Sequence, residues 1–421
     1  MLVQTQYGLL EGTDCGSFSV FKGILYACPP VGALRFRAPQ PPVPWEGVRK
    51  ADHFSAQCPQ LSITDGLYGK EFYTDPAYPL PPMSEDCLYL NIWVPADIKE
   101  PAPVAFWVHG GGFDHGFGSE MEFDGKAYAE RGVILVTINY RVGVFGFFAC
   151  PELTEEDEAH ACGNQGILDQ IAALHWVKDN IAAFGGDPER ITVFGQSAGA
   201  MSVQTLITSP LSRELMCGAI MQSGGGLRNG LVNDILPETA YGYGKRIMEL
   251  CGAENLKEMR ALPAGTFTGI LPDLYREGLR PFRPVQDGYV LFENYVTAAA
   301  EGHTAAVPYM TGITADDIGV RDKAEDSELY KGCVRFAETV KTPVFMYFFN
   351  HSLPGDQSGA FHSSELWYTF GTLDRCWRPM DAGDYALSNL MLDCWTSFMK
   401  TGSPQHDWEP YGTSAYIREF R

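Results

Sequence analysis

Ser197 lies in Gly195-Gln196-Ser197-Ala198-Gly199, directly after Ile191-Thr192-Val193-Phe194. A serine hydroxyl is a poor nucleophile at neutral pH until a base takes its proton. The residues around it meet the geometric half of that need. The β-branched run predicts a strand, and the small residues that follow predict a helix. A serine on the sharp turn between them holds its oxygen exposed, the arrangement called a nucleophile elbow. Side chains at 195 and 199 would collide with the flanking strand and helix, and glycine tolerates the strain of the turn.

A second segment offers what that chemistry needs next. Val104-Ala105-Phe106-Trp107-Val108 reads as a buried strand, and His109-Gly110-Gly111-Gly112-Phe113 follows it. Consecutive glycines cost backbone entropy, so they call for a reason. Acyl transfer builds negative charge on a carbonyl oxygen, and backbone N–H groups stabilise it only where no side chain blocks them. Gly111, Gly112 and Ala198 are the expected donors. Ala198 opens the helix after the serine, where unpaired N–H groups and the helix dipole favour an anion.

The base and its partner acid should follow the serine in the order acid, then histidine. Of nine histidines, His303, His351, His362 and His406 come after Ser197. His303 and His406 read as surface residues. His362 sits in a loop that runs into a helical segment, and His351 follows the strand predicted over 344–349. Spacing alone leaves both open. For the acid, the strand predicted over 306–312 ends in Asp316-Asp317. A carboxylate there can fix the tautomer of the histidine. One of the two could equally cap the turn.

Strands are expected to around Phe21, at 87–94, 104–108, 133–138, 191–196 and 217–222, and a helix over 165–184. The proline-rich stretch 59–83 reads as irregular loop. Strands alternating with helices predict an α/β fold with a mainly parallel sheet covered on both faces. In such sheets active sites lie at the carboxyl ends of strands, where both the serine turn and the glycine loop fall. No repeat or linker interrupts the 421 residues. The expectation is one domain over 1–421, with 227–305 a helical flank over the site.

Composition narrows the partners. Hydrophobic content is 45% and charged content 20%, as in ordinary globular proteins. Thirty-one basic against 52 acidic residues give a net charge of −21, which argues against nucleic acid and anionic membranes. No apolar run is long enough to span a bilayer. The eleven cysteines lack Cys-x-x-Cys or zinc-site spacing, so no metal is expected. No leader is apparent, so a cytoplasmic setting with reduced thiols is expected.

Taken together, the motifs resemble the type-B carboxylesterases of the cholinesterase-like branch of the α/β-hydrolases. The resemblance runs nearly end to end. It includes Phe21–Ile24, Pro29–Gly32, Trp45–Gly47, the string Glu85-Asp86-Cys87-Leu88-Tyr89-Leu90-Asn91, the glycine loop, Asn139–Arg141, Gly163–Gly166, Phe184–Pro188, the elbow and Gln222–Gly224. It implies an α/β-hydrolase fold with a central sheet and an N-terminal strand extension. The implied activity is hydrolysis of small carboxylic esters with no cofactor. The implied triad is Ser197, Asp317 and His362, with Gly111, Gly112 and Ala198 as oxyanion hole and Ser223 supporting the acid.

Some positions depart from the family pattern. Relatives usually carry glutamate then glycine where this chain has Asp317 then Ile318, which keeps Asp316 and Glu325 as alternative acids. Leu25 stands where relatives commonly have proline. The chain is shorter than most relatives, with the shortfall expected in 227–305 and between 317 and 362. Cys58 and Cys87 match a disulfide pair of secreted relatives, and a reducing setting would leave them free. Gln196 stands where cholinesterases carry glutamate, which disfavours choline esters. Phe113, Phe117 and Trp367 are candidate pocket walls. The same nucleophile could serve an acyltransferase, amidase or lactonase. A silent binding module is the remaining alternative, and the intact Ser197, His362 and glycine loop argue against it.

Overall fold

The computed structural model describes residues 1–231, 234–405 and 407–421. At the N-terminus, β1 (Leu2–Gln4), β2 (Leu9–Asp14) and β3 (Phe18–Leu25) run antiparallel, with β4 (Val48–Ala51) beside β2. β5 (Tyr89–Pro95) joins β3 antiparallel. The apolar runs then form β6 (Ala102–Val108), β7 (Ile134–Ile138), β8 (Gly186–Gln196), β9 (Gly218–Gln222), β10 (Tyr309–Thr314), β11 (Val344–Phe349) and β12 (Ile417–Phe420). Across the sheet the order is β1-β2-β3-β5-β7-β6-β8-β9-β10-β11-β12. From β7 to β12 every pairing is parallel. The fold is the α/β-hydrolase architecture.

Every residue of β6, β7, β9 and β10 is buried, as expected of strands covered on both faces. The two-residue period divides β6 between two cores. Val104, Phe106 and Val108 face one, which takes Ile167, Leu174 and Val177 of the helix Gln165–Asn180 and Val203 and Leu206 of the helix Ala198–Thr208. Ala105 and Trp107 face the other, with Met391, Trp395 and Phe398 of the helix Ala382–Thr401. Residues 227–305 hold five helices and no sheet strand among their described residues.

Several boundaries differ from the sequence reading. β10 starts at Tyr309 because Pro308 has no N–H for the ladder. The helix from Gln165 ends at Asn180 and tightens into a 3₁₀ turn, Ile181–Phe184, closed by the left-handed Gly185. The stretch expected to be irregular contains two helical pieces, Gly66–Tyr68 and Gly69–Tyr73. Tertiary contacts hold them. Buried Glu71 accepts from Trp367 Nε1, Trp377 Nε1 and Arg378 Nε, each at 2.9 Å.

One buried ion pair ties the parallel strands to their helix layer. Arg141 donates to Asp169 through Nε and Nη2, both at 2.7 Å, and its backbone N–H reaches the same carboxylate at 3.0 Å. Neither side chain is more than 2% exposed. Removing one partner strands a buried charge. Asp169→Ala should therefore lower the unfolding free energy by about 3–5 kcal/mol. Urea unfolding checks this, and a loss below about 1 kcal/mol, the scale of an exposed pair, would contradict it.

Cys58 and Cys87 are buried free thiols. Contact with Cys58, then burial, lifts the Cys87 thiol well above its ordinary range. Among the described residues, no helix is long and apolar enough to cross a membrane.

Candidate active site

β6 and β8 are neighbours in parallel register, with Val108 opposite Gly195. Their carboxyl ends therefore deliver the glycine loop and the serine turn side by side. Ser197 has φ 56° and ψ −125°, a strained conformation for a residue with a side chain. Its N–H donates to Gln222 O at 2.9 Å, which ties the turn to β9. The glycines answer to close approach. A Cβ on Gly199 would overlap the carbonyl oxygen of Val108, and one on Gly195 would sit 2.5 Å from the backbone of Gly199. Gly111, at φ +97°, would drive a Cβ into the carbonyl of His115.

The N–H groups of Gly111, Gly112 and Ala198 donate to no backbone acceptor among the described residues. Ala198 is the first residue of the helix Ala198–Thr208. Two free loop donors and a helix N-terminus thus border the serine. His109 braces the loop from behind. It stacks on Tyr140 with ring centroids 4.2 Å apart, and Tyr140 Oη donates to His109 O at 3.0 Å. Burial pushes its pKa down to about 3, so it stays neutral.

The strands β10 and β11 supply the other half. Asp316 and Phe361 form a parallel bridge, with Asp316 N–H on Ala360 O at 3.0 Å and Ala360 N–H on Asp316 Oδ2 at 2.8 Å. This bridge draws the loop after β10 against the loop before the helix Leu366–Phe370. Asp317 Oδ1 then lies 2.6 Å from His362 Nδ1. Asp317 also accepts the N–H groups of Thr314 at 3.0 Å and Ile318 at 2.7 Å. Burial disfavours its charge, but the His362 interaction, the nearby Ser223 hydroxyl and the Thr314 N–H outweigh it, and its pKa falls below the usual value. Ser223 Oγ sits close enough to contribute without a hydrogen bond of regular geometry. For His362, burial opposes the charged form, yet Asp317 overcomes it and raises the pKa above 6.5.

A hydrogen on Nδ1 leaves Nε2 of His362 as an acceptor, and the Gln196 amide nitrogen lies 3.2 Å from it. Ser197, His362, Gly111 and Gly112 all open onto one cavity of about 420 Å³. Its walls come from Tyr68, Phe72, Tyr73 and Phe123, with Ile318 at one side.

The chain matches the carboxylesterase family over residues 1–324 and 319–418. The chain belongs to that family. The para-nitrobenzyl esterase of Bacillus subtilis (strain 168) is 34% identical across 97% of this chain and 92% of its own length. Carboxylesterase 4A of Bos taurus is 31% identical across 97% and 88%. A solved PNB esterase structure superposes with TM-score 0.89 at 32% identity, covering 100% of this chain and 96% of that one. The first of these alignments runs to 469 positions against 421 residues here, so that esterase carries residues this chain lacks.

Within this carboxylesterase, the residues left open by the sequence separate clearly. His351 lies elsewhere, with Nε2 2.8 Å from Asp384 Oδ1 and its ring against Tyr368. Asp316 caps the histidine loop, and Glu325 is exposed in the turn Ala324–Asp326. His303 is exposed, as expected, and His406 lies outside the described residues. The three aromatic wall candidates do not line the cavity. Phe113 packs on Phe147, Trp367 stacks on Phe72 in the core, and Phe117 faces a neighbouring recess. The helical pieces at 66–73 supply Tyr68, Phe72 and Tyr73 to the walls instead.

Glu365 escaped the sequence reading. It is fully buried three residues after His362, and neither carboxylate oxygen has a hydrogen-bond partner among the described residues. Burial, then the charge of Asp317, pushes its pKa up to about 7. The only available signal was the His-x-x-Glu spacing at the start of a helix.

Proposed function

We propose that this carboxylesterase cleaves its esters through an acyl-enzyme on Ser197. The observation that carries this reading is the convergence of Ser197, His362 and the unpaired glycine-loop N–H groups on one cavity, with Asp317 on the far nitrogen of the imidazole. For base catalysis the Ser197 hydroxyl replaces the Gln196 amide at Nε2. His362 takes the hydroxyl proton as Oγ attacks the ester carbonyl. The oxyanion is held by Gly111, Gly112 and Ala198. His362 protonates the departing alkoxide, and water, activated by the same nitrogen, hydrolyses the acyl-serine. Asp317 keeps the Nδ1–H tautomer and stabilises the imidazolium. No step needs a metal or organic cofactor. The unbroken sheet supports a single catalytic unit over 1–421.

Hydrolysis of p-nitrophenyl acetate, butyrate and octanoate tests the reading and sizes the pocket. Its pH dependence carries a sign. The base works only when neutral, and Asp317 raises the pKa of His362 above 6.5. kcat/KM should therefore rise with pH and reach half its plateau above pH 6.5. Glu365, titrating at about 7, adds negative charge in the same range and broadens the rise. A profile already flat at pH 6 would remove His362 from the role of base.

A further inference from the structure

The cavity beside Ser197 carries an unusual charge. Asp65, Glu120 and Glu122 line it, and no lysine or arginine is among its described lining residues. Glu122 is 1% exposed, yet its Oε2 has no partner among the described residues. Glu120 is 6% exposed and accepts the Phe117 N–H at 2.9 Å. Aromatic faces from Tyr68, Phe72 and Phe123 border the same space. A buried carboxylate oxygen without a donor, a second carboxylate at its side and π-faces around it form a receptor for an organic cation.

We infer that the cavity selects esters bearing an ammonium or guanidinium group, with Glu122 and Glu120 as counter-ion. This rests on the acyl-enzyme reading above for its catalytic half. It revises the expectation drawn from Gln196, because the carboxylates come from the loop after the glycine run rather than from the position before the serine. Burial, then the charge of Glu120, holds the Glu122 carboxyl well above the ordinary carboxylate range. Glu71 faces Glu122 from the helical piece Gly69–Tyr73, and Tyr73 and His115 face Glu120. The ammonium N–H groups of a bound cation donate to the two carboxylates.

The test pairs two measurements. Hexylammonium and hexan-1-ol are titrated calorimetrically into the full chain, into Glu122→Gln and into Glu120→Gln. Hexylammonium should bind native protein at least about tenfold more tightly than the alcohol, and both variants should erase that difference. In parallel, p-nitrophenyl 6-aminohexanoate and heptanoate are compared. The ratio of their kcat/KM values should favour the amine about tenfold or more and fall toward one in Glu122→Gln. Equal binding of amine and alcohol, or a preference untouched by both variants, overturns the inference. Selective amine binding with no turnover of either ester upholds the cation site and sinks the acyl-enzyme reading instead.

Discussion

Ser197→Ala should abolish ester turnover, with kcat/KM falling by about 10⁴-fold or more while the protein stays folded. The size follows from the chemistry, since alanine leaves no atom to carry the acyl group. What persists is the stabilisation that the free N–H groups of Gly111, Gly112 and Ala198 offer to direct attack by water. The fold should tolerate the change. The Ser197 side chain is partly exposed in the cavity, and its N–H bond to Gln222 O belongs to the backbone. The elbow also holds Ser197 at φ 56°, a strain that serine and alanine share. Release of p-nitrophenol, read beside a thermal melt, checks both parts. An alanine variant that retains native burst kinetics would exclude Ser197 as the site of acylation.

Asp317→Asn should cost about 10⁴-fold in kcat. The carboxylate lies 2.6 Å from Nδ1 of His362 and accepts two backbone N–H groups besides. An amide can present an N–H to Nδ1, which moves the imidazole hydrogen to Nε2 and leaves the serine without an acceptor. KM should change far less than kcat, because residue 317 itself does not line the cavity. A serine-directed phosphonate separates this from unfolding. It should still label the variant, but at a rate reduced in step with kcat. Near-native kcat would transfer the role to another carboxylate, and buried Glu365 beside the same histidine is the one placed to take it.

The parts of the site that depend on local backbone were readable from the residues. Gly195, Gly199, Gly110 and Gly111 mark places where a Cβ has no room, Gly112 one with a positive φ, and those demands are written into short strings. The acid and the base were not separable in this way. Asp316 and Asp317 are adjacent, and His351 and His362 both sit in loops around one strand. What distinguishes them is the Asp316–Phe361 bridge, a contact between segments far apart in sequence. The same bridge brings the two loops together and so sets Asp317 2.6 Å from His362. The cavity walls were lost for a related reason. Residues 66–73 have weak helical signals and are held by Glu71 against Arg378 and two tryptophans, contacts that no local pattern announces. Glu122 passed for an ordinary acidic residue because its burial is decided by the same segment.

The division of the site between β6–β8 and β10–β11 also sets an order of events during synthesis. Ser197 and the oxyanion donors leave the ribosome well before Asp317 and His362 do. On the acyl-enzyme reading proposed above, the serine has no base until about the last quarter of the chain docks and the Asp316–Phe361 bridge closes. The nascent polypeptide can therefore meet esters in its surroundings without becoming acylated. A chain truncated before residue 362 would be inert rather than misdirected, so the order of translation itself delays the appearance of a reactive nucleophile until the fold is complete.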